Sequence, residues 1–128
     1  MITDRTWTFE QATGWWLDPT GEIIFKSAYA GRDAGKNNPD MQDVKGVGPL
    51  PRGLYRASEP ADDSVVGKYA MRLTPSPTNE MYGRNSFFLH GDSQEHPGLA
   101  SHGCIVLPPA LRRMFWESGD HMIQVTHG

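Results

Sequence analysis

Residues 87–107 read FFLHGDSQEHPGLASHGCIVL, a stretch in which two apolar runs flank a polar loop. The first run ends at His90, and the second begins directly after Cys104. Short apolar runs bounded by turn residues are typical of β-strands. We therefore predict two strands whose ends bring the histidine and the cysteine side by side.

The same pattern extends along the rest of the chain. Short apolar runs predict strands at residues 7–9, 15–17, 22–29, 53–57, 68–74, 86–90 and 121–126, of which the first three form a meander. Residues 31–51 are rich in Gly, Asn, Asp and Pro, and this composition predicts a long surface loop. The polar segments 58–64 and 75–82 are predicted to separate the later strands.

Residues 108–119 are the best candidate for a helix, because two prolines stand at the start and a glycine follows the end. This helix would turn Leu111, Met114 and Phe115 toward the core. A chain of 128 residues matches the commonest size of a single domain, so we predict one domain over residues 1–128. The predicted fold class is mostly β, with one main helix near the C-terminus.

Charge and hydropathy restrict the partners of the chain. The net charge is −3, from 12 basic and 15 acidic residues that are mixed along the sequence, so a nucleic-acid partner is not expected. No apolar stretch reaches the ~18 residues of a membrane-spanning helix. Residues 1–5 also lack the basic and apolar regions of a secretory signal, so we expect synthesis in the cytoplasm without a signal peptide.

Cys104 is the only cysteine, so no internal disulfide can form. A lone cysteine is often a buried small hydrophobic residue, and this is the alternative interpretation. A thiol with a pKa near about 8.5 becomes a nucleophile when a base or cation lies beside it, and histidine has this role in unrelated cysteine enzymes. We therefore predict Cys104 as nucleophile and His90 as its base.

The residues just before the cysteine are predicted to shape the site. Gly103 permits a tight turn, after which the amides of Gly103 and Cys104 can point at one developing oxyanion; an ordinary turn is the alternative. Ser101 and His102 can orient the loop through hydrogen bonds to the backbone. His102 either assists catalysis or fills the site.

These residues resemble the signature of the L,D-transpeptidase catalytic domain, a His-Gly pair followed by Ser/Thr-His-Gly-Cys. The matching residues are His90-Gly91 and Ser101-His102-Gly103-Cys104. Residues 47–55, VGPLPRGLY, resemble the family's Gly-Pro-x-Pro-x-Gly-x-Tyr segment. The resemblance extends over about residues 5–126, and it implies a β-sandwich or barrel of short strands.

Residues 37–42 and the ending of the signature, IVL, also resemble the compact branch of this family that serves as antibacterial effectors of the type VI secretion system. That resemblance implies L,D-carboxypeptidase activity on tetrapeptide stems of peptidoglycan and exchange of the terminal D-alanine, without a metal or cofactor. Peptidoglycan stem peptides are the implied substrate. A cognate immunity protein and the secretion machinery are the implied partners, and the periplasm of a target cell is the implied place of action.

Two features depart from the larger family. Only ten residues separate His90 from Ser101, which suggests a less elaborate lid than usual. Val106 stands where many relatives have a polar or cationic residue, which removes one carboxylate contact. Both argue against crosslinking more than against acylation of the cysteine.

Substrate binding is predicted for Ser101, Arg84 and Gly91. Arg84 can pair with a carboxylate of the stem peptide through its fork of donors, and an ordinary surface arginine is the alternative.

Two other classes of function are kept open. A zinc hydrolase would draw its ligands from a group of five nearby residues: His90, Asp92, His96, His102 and Cys104. His96 is otherwise expected to be exposed to solvent. A non-catalytic glycan or peptide binding module would use an aromatic face made of Trp7, Trp15 and Trp16.

Overall fold

The structure is a computed structural model that describes residues 5–128. We base the expected absence of a secretory signal on residues 1–5. Residues 1–4 of that segment lie outside the described residues. Residues 5–128 contain ten strands and one α-helix: β1 (Thr6–Glu10), β2 (Trp16–Leu17), β3 (Ile23–Phe25), β4 (Tyr29–Ala30), β5 (Gly53–Ala57), β6 (Ala61–Asp63), β7 (Gly67–Pro75), β8 (Phe87–His90), β9 (Ile105–Val106), α1 (Pro109–Glu117) and β10 (Met122–Thr126).

Nine of the strands form one mixed sheet in the order β3-β2-β1-β10-β5-β7-β8-β9-β4, and β6 pairs with β7 beside this path. Two neighbouring pairs are parallel, β1 with β10 and β8 with β9, and the other pairs are antiparallel. The mostly β fold class with one C-terminal helix is therefore confirmed.

The sheet must curl strongly, because its two edge strands are consecutive in the chain. β3 ends at Phe25 and β4 begins at Tyr29, so these two Cα atoms lie at most about 14 Å apart. A flat sheet of nine strands would place its edges about 38 Å apart. The sheet therefore wraps around the core, in agreement with the expected sandwich or barrel form.

One part of the hydrophobic core is built from aromatic residues of β1, β2 and α1. Trp7 and Trp16 stack with their ring centroids 5.5 Å apart, and the edge of the Phe115 ring meets both. All three side chains are buried. The aromatic face that a binding module would require is therefore not available, since two of its three tryptophans form the core.

Four expectations about the elements need correction. Met114 is 46% exposed, because the helix turns Arg112 and Phe115 inward instead. The predicted strand 22–29 is divided into β3 and β4 by a bend, and the polar segment 58–64 contains the short strand β6. The loop 31–51 includes two turns of 3-10 helix, Asp33–Gly35 and Pro39–Met41, and ends in a fully buried Leu50.

Candidate active site

The parallel pairing of β8 with β9 sets the position of the two predicted catalytic residues. Leu89 lies opposite Ile105, and His90 lies opposite Val106. Cys104 is two residues before Val106, so its side chain points to the same face of the sheet as that of His90. The backbone amide of Phe88 donates a hydrogen bond to the Cys104 Sγ atom at 3.3 Å.

His90 and Cys104 line the same open cleft, which has a volume of about 840 Å³. His102 and two arginines, Arg32 and Arg72, also line this cleft. The structure thus brings the predicted nucleophile, its predicted base and His102 to one surface.

His90 is buried, and its tautomer follows from one contact. The Nδ1 atom lies 2.7 Å from the carbonyl oxygen of Gly91, which can only accept a hydrogen bond, so Nδ1 carries the proton. This leaves Nε2 with a lone pair. Burial, together with the positive charge of Arg112, lowers the pKa of His90, so the ring is neutral at neutral pH and able to accept a proton.

The Cys104 thiol is held in its neutral form as well. Burial raises the pKa of Cys104, and the Phe88 amide and the charge of Arg84 act in the opposite direction without reversing the shift. A neutral thiol in the same cleft as a neutral imidazole requires the proton to move as the sulfur attacks. The arrangement can therefore perform general-base-assisted nucleophilic attack.

Ser101 has a different role from the predicted substrate contact. Its side chain is fully buried, and its hydroxyl accepts hydrogen bonds from the amides of Gly31 at 2.9 Å and Gly103 at 3.0 Å. The same hydroxyl donates to the Cys104 carbonyl at 2.6 Å. Ser101 therefore fixes the backbone around the cysteine, as expected for an orienting residue, and presents no group to substrate.

The contact with Ser101 also corrects the predicted oxyanion hole. Because the Gly103 amide already donates to Ser101, only the Cys104 amide of the predicted pair remains beside the sulfur. Gly103 is required for another reason. Its φ of +143° is strained for other residues, and a Cβ there would lie 2.7 Å from Arg84 Nη2 and 2.8 Å from Phe87 Cε1.

Arg84 is buried beneath the cysteine loop rather than exposed to substrate. Its guanidinium donates hydrogen bonds to four backbone carbonyls, those of Gln42 at 2.6 Å, Pro49 at 2.8 Å, Gly48 at 3.0 Å and His102 at 3.2 Å. These bonds tie the loop 31–51 to the backbone just before Cys104. Arg84 therefore supports the cysteine loop through backbone oxygens, and its predicted contact with a substrate carboxylate stays a prediction.

Residues 47–55 take part in the same network of hydrogen bonds. Gly48 and Pro49 supply two of the carbonyls that bind Arg84, and the Leu50 amide donates to the Gly103 carbonyl at 2.9 Å. The sequence resemblance identified this segment. Its role in supporting the cysteine loop could be recognised only from the long-range contacts in the structure.

Sequence reasoning missed Arg112, which supports the histidine. Arg112 is buried, and its guanidinium donates to the carbonyls of Leu107 and Tyr69. A Cβ on Gly91 would lie 2.8 Å from Arg112 Nη1, so the glycine after His90 lets the arginine approach. Gly91 itself lines the cleft. One feature of the sequence could have revealed Arg112. It lies three residues before Phe115, so the two side chains lie on the same face of the helix.

His102 is exposed, and both of its ring nitrogens have partners. Nδ1 lies 3.3 Å from the Gly46 carbonyl oxygen, and Nε2 lies 3.0 Å from Arg32 Nη1. Nδ1 therefore donates to the carbonyl, and Nε2 accepts from the arginine. His102 is placed to orient Arg32, and its assistance in catalysis stays a prediction.

The loop between the histidine and the cysteine is fastened by Asp92. Its carboxylate accepts hydrogen bonds from the Tyr29 hydroxyl at 2.6 Å and from the amides of Ser93 and Gly98. Burial opposes ionisation of Asp92, but these hydrogen bonds prevail and lower its pKa. The Ala100 amide in turn donates to the Tyr29 hydroxyl at 3.0 Å. One wall of the cleft is thus held in place.

The zinc alternative would need three ligating side chains at one point. Among residues 5–128, no group of three His, Cys, Asp or Glu side chains is arranged to hold a metal ion. His96 is exposed, as expected. Within the same described residues, no helix has the length and apolar character needed to cross a membrane.

The comparison with protein families agrees with this geometry. A family model described as the Tlde1 domain matches residues 25–117, which is more than half of the chain and includes both predicted catalytic residues. A comparison with curated proteins found no match.

Proposed function

The chain belongs to the Tlde1 domain family of type VI secretion L,D-transpeptidase effectors and acts on peptidoglycan, and from this premise we propose that it is a cysteine enzyme specific for tetrapeptide stems. It removes the terminal D-alanine with water, as an L,D-carboxypeptidase, or replaces it with another D-amino acid. Cys104 is the nucleophile and His90 the general base.

One observation supports this proposal above the others. The only thiol of the chain shares a cleft with a buried histidine whose Nδ1 is engaged by the Gly91 carbonyl. A histidine fixed in this tautomer keeps its Nε2 lone pair for a proton, which is the requirement for activating a neutral thiol.

Acylation follows from these positions. The Cys104 sulfur attacks the carbonyl between the diamino acid of the stem and its D-alanine, while His90 Nε2 accepts the thiol proton. The Phe88 and Cys104 amides are the donors beside the sulfur, and they can stabilise the negative charge on the sulfur as the thiol loses its proton. His90 then returns the proton to the leaving amine, and a thioester remains.

Deacylation uses the same groups in reverse. His90 removes a proton from water or from the amine of a free D-amino acid, either of which attacks the thioester. Water gives a tripeptide stem, and a D-amino acid gives an exchanged tetrapeptide. The proton then returns to the Cys104 sulfur.

The proposed place of action is the periplasm of a target cell, where the stems are accessible. A cognate immunity protein and the secretion machinery are the proposed partners. Action in a target cell agrees with membership of a secreted effector family.

Incubation with purified muropeptides followed by mass spectrometry tests the reaction. We expect tetrapeptide stems to lose the mass of one D-alanine, and to gain the mass of an added D-amino acid when one is supplied. Unchanged stems, or products that persist with the Cys104→Ala variant, would contradict the proposal.

A further inference from the structure

Arg32 stands in the wall of the cleft and is fixed there by several contacts. Its Nη1 atom donates to Nε2 of His102, whose Nδ1 is held by the Gly46 carbonyl. The Arg32 amide donates to the Val47 carbonyl at 2.9 Å. An arginine fixed at both backbone and side chain loses little conformational entropy when it binds a ligand.

Part of the guanidinium remains open. Among residues 5–128, no atom forms a hydrogen bond with Arg32 Nη2, and Nε has only a long contact of 3.8 Å with the exposed carboxylate of Asp33. The Arg32 side chain is 30% exposed. It therefore offers donors to the cleft in the fork geometry that suits a carboxylate.

We propose that Arg32, oriented by His102, binds the α-carboxylate of the terminal D-alanine. This inference rests on the proposed function. The peptide bond to be cut joins the amine of that D-alanine, so its carboxylate lies within one residue of the attacked carbonyl. His102, two residues before Cys104, and its partner Arg32 both line the cleft that contains Cys104.

Two other positions that could supply a cation for the carboxylate are less suitable than Arg32. Val106, two places after the cysteine, is buried and apolar and offers no charge. Arg72, the other arginine of the cleft, has its guanidinium over the Phe88 ring at 4.8 Å from the centroid, on the strand beyond β8.

The same site should serve the incoming amino acid in exchange. Exchange is the reverse of acylation with a different amine: the new C–N bond forms, the C–S bond breaks, and the amine proton passes through His90 to the sulfur. By microscopic reversibility the entering D-amino acid occupies the place of the leaving D-alanine. Its carboxylate then meets Arg32, whereas water needs no such contact.

The first test compares two substrates, a tetrapeptide stem ending in D-alanine and the same stem ending in D-alanine amide. The wild-type protein should prefer the acid. Arg32→Gln should lower kcat/KM for the acid by about 10- to 100-fold and leave the amide unchanged, because only the acid loses a charge-assisted contact. Arg32→Lys should restore part of the preference, and Arg52→Gln, which removes an exposed cation outside the cleft, should keep it.

The second test separates the two fates of the acyl-enzyme. With Arg32→Gln, the concentration of D-amino acid needed for half-maximal exchange should rise by a similar factor, while hydrolysis of the isolated acyl-enzyme stays unchanged. A merely structural role of Arg32 would slow both reactions together.

Equal losses on the acid and the amide with Arg32→Gln would overturn the inference. So would loss of the acid preference with Arg72→Gln and not with Arg32→Gln. Turnover of both stems without preference by the wild-type protein would overturn the inference alone, whereas turnover of neither would overturn the proposed function together with it.

Discussion

Two buried arginines hold the two halves of the candidate site. Arg84 lies under the loop that ends at Cys104, and Arg112 lies under the turn that follows His90. Both donate to backbone carbonyls, and among residues 5–128 neither forms an ion pair with a carboxylate. Buried carbonyls in irregular segments need donors, and a guanidinium supplies several in one plane.

The first prediction concerns Arg84. Arg84→Gln should lower the free energy of unfolding by about 2–4 kcal/mol, because several buried carbonyls lose their donors. Arg84→Lys should recover little of this loss, since an ammonium group cannot reach four carbonyls at once. Urea unfolding measures the effect, with the exposed Arg113→Gln as the matched control. A change as small as in the control would show that Arg84 is not structural.

The second prediction concerns the reacting groups. Cys104→Ala and His90→Ala should each abolish the covalent adduct with a stem peptide, because one removes the nucleophile and the other its base. Intact-mass spectrometry detects the adduct, and circular dichroism checks that both variants are folded. An adduct formed by the Cys104→Ala protein would rule out the proposed mechanism.

The third prediction concerns pH. Burial and the charge of Arg112 lower the pKa of His90 below its ordinary value of 6.5, so the ring stays neutral to a lower pH than usual. Activity should therefore persist below pH 6.5 and fall only as pH drops through the lowered pKa. A pH profile of kcat/KM gives the acid limb, and an NMR titration of His90 in the Cys104→Ala protein assigns it. An acid limb above pH 6.5 would contradict this account.

At the level of elements, the site depends on a parallel pair joined by a loop. Parallel neighbours need a crossover of a dozen or more residues, and that crossover is usually a helix. Here residues 91–104 cross without a helix, so hydrogen bonds to Asp92 and Ser101 must supply the order that a helix would provide.

The fourth prediction tests this loop. Asp92→Ala should lower the free energy of opening of residues 93–100 by about 1 kcal/mol, because the amides of Ser93 and Gly98 lose their acceptor. Amide hydrogen exchange measures it. Glu95→Ala, an exposed carboxylate in the same loop, should leave exchange unchanged. The pKa of Asp92 is lowered, so wild-type loop order should persist above the ordinary pKa of an aspartate and be lost as pH falls through the lowered value.

The local sequence pattern predicted the positions of strands and of the helix better than it predicted which strands pair. Short apolar runs bounded by turn residues located β1, β5 and β7, and the prolines and the following glycine located α1, because these signals depend on neighbours in sequence. The parallel pairing of β1 with β10 joins strands more than a hundred residues apart, and nothing in either strand specifies it.

The same limit applied to the site. Motif spacing predicted that His90 and Cys104 would meet, and the fold places both in one cleft. It could not reveal that Arg84 donates to backbone carbonyls of residues 42–49, or that Ser101 accepts from the amide of Gly31, because those partners are distant in sequence. Arg32 was missed for the same reason, since it reaches the cleft from a loop about seventy residues before the cysteine.

At the scale of the whole molecule, the only thiol of the chain lines an open cleft, together with His90. In an oxidising compartment this thiol has no second cysteine in the chain with which to form a disulfide. The proposed nucleophile, Cys104, therefore cannot be lost to a disulfide within the chain. This property suits a family whose members act in a target cell.

The last prediction follows from the position of the substrate. Peptidoglycan stems lie outside the cytoplasmic membrane, so the protein should be harmless when it is made in the cytoplasm of a susceptible bacterium. Fused to a periplasmic export signal, it should slow growth or distort cell shape as tetrapeptide stems are depleted. The exported Cys104→Ala protein is the matched control, because it differs by one sulfur atom and should leave both growth and stems unchanged. Growth curves and muropeptide composition measure the outcome, and a cognate periplasmic immunity protein should restore growth. Equal toxicity of the cytoplasmic version or of the exported Cys104→Ala version would mean that the toxic activity is not the thiol chemistry of this cleft on the cell wall.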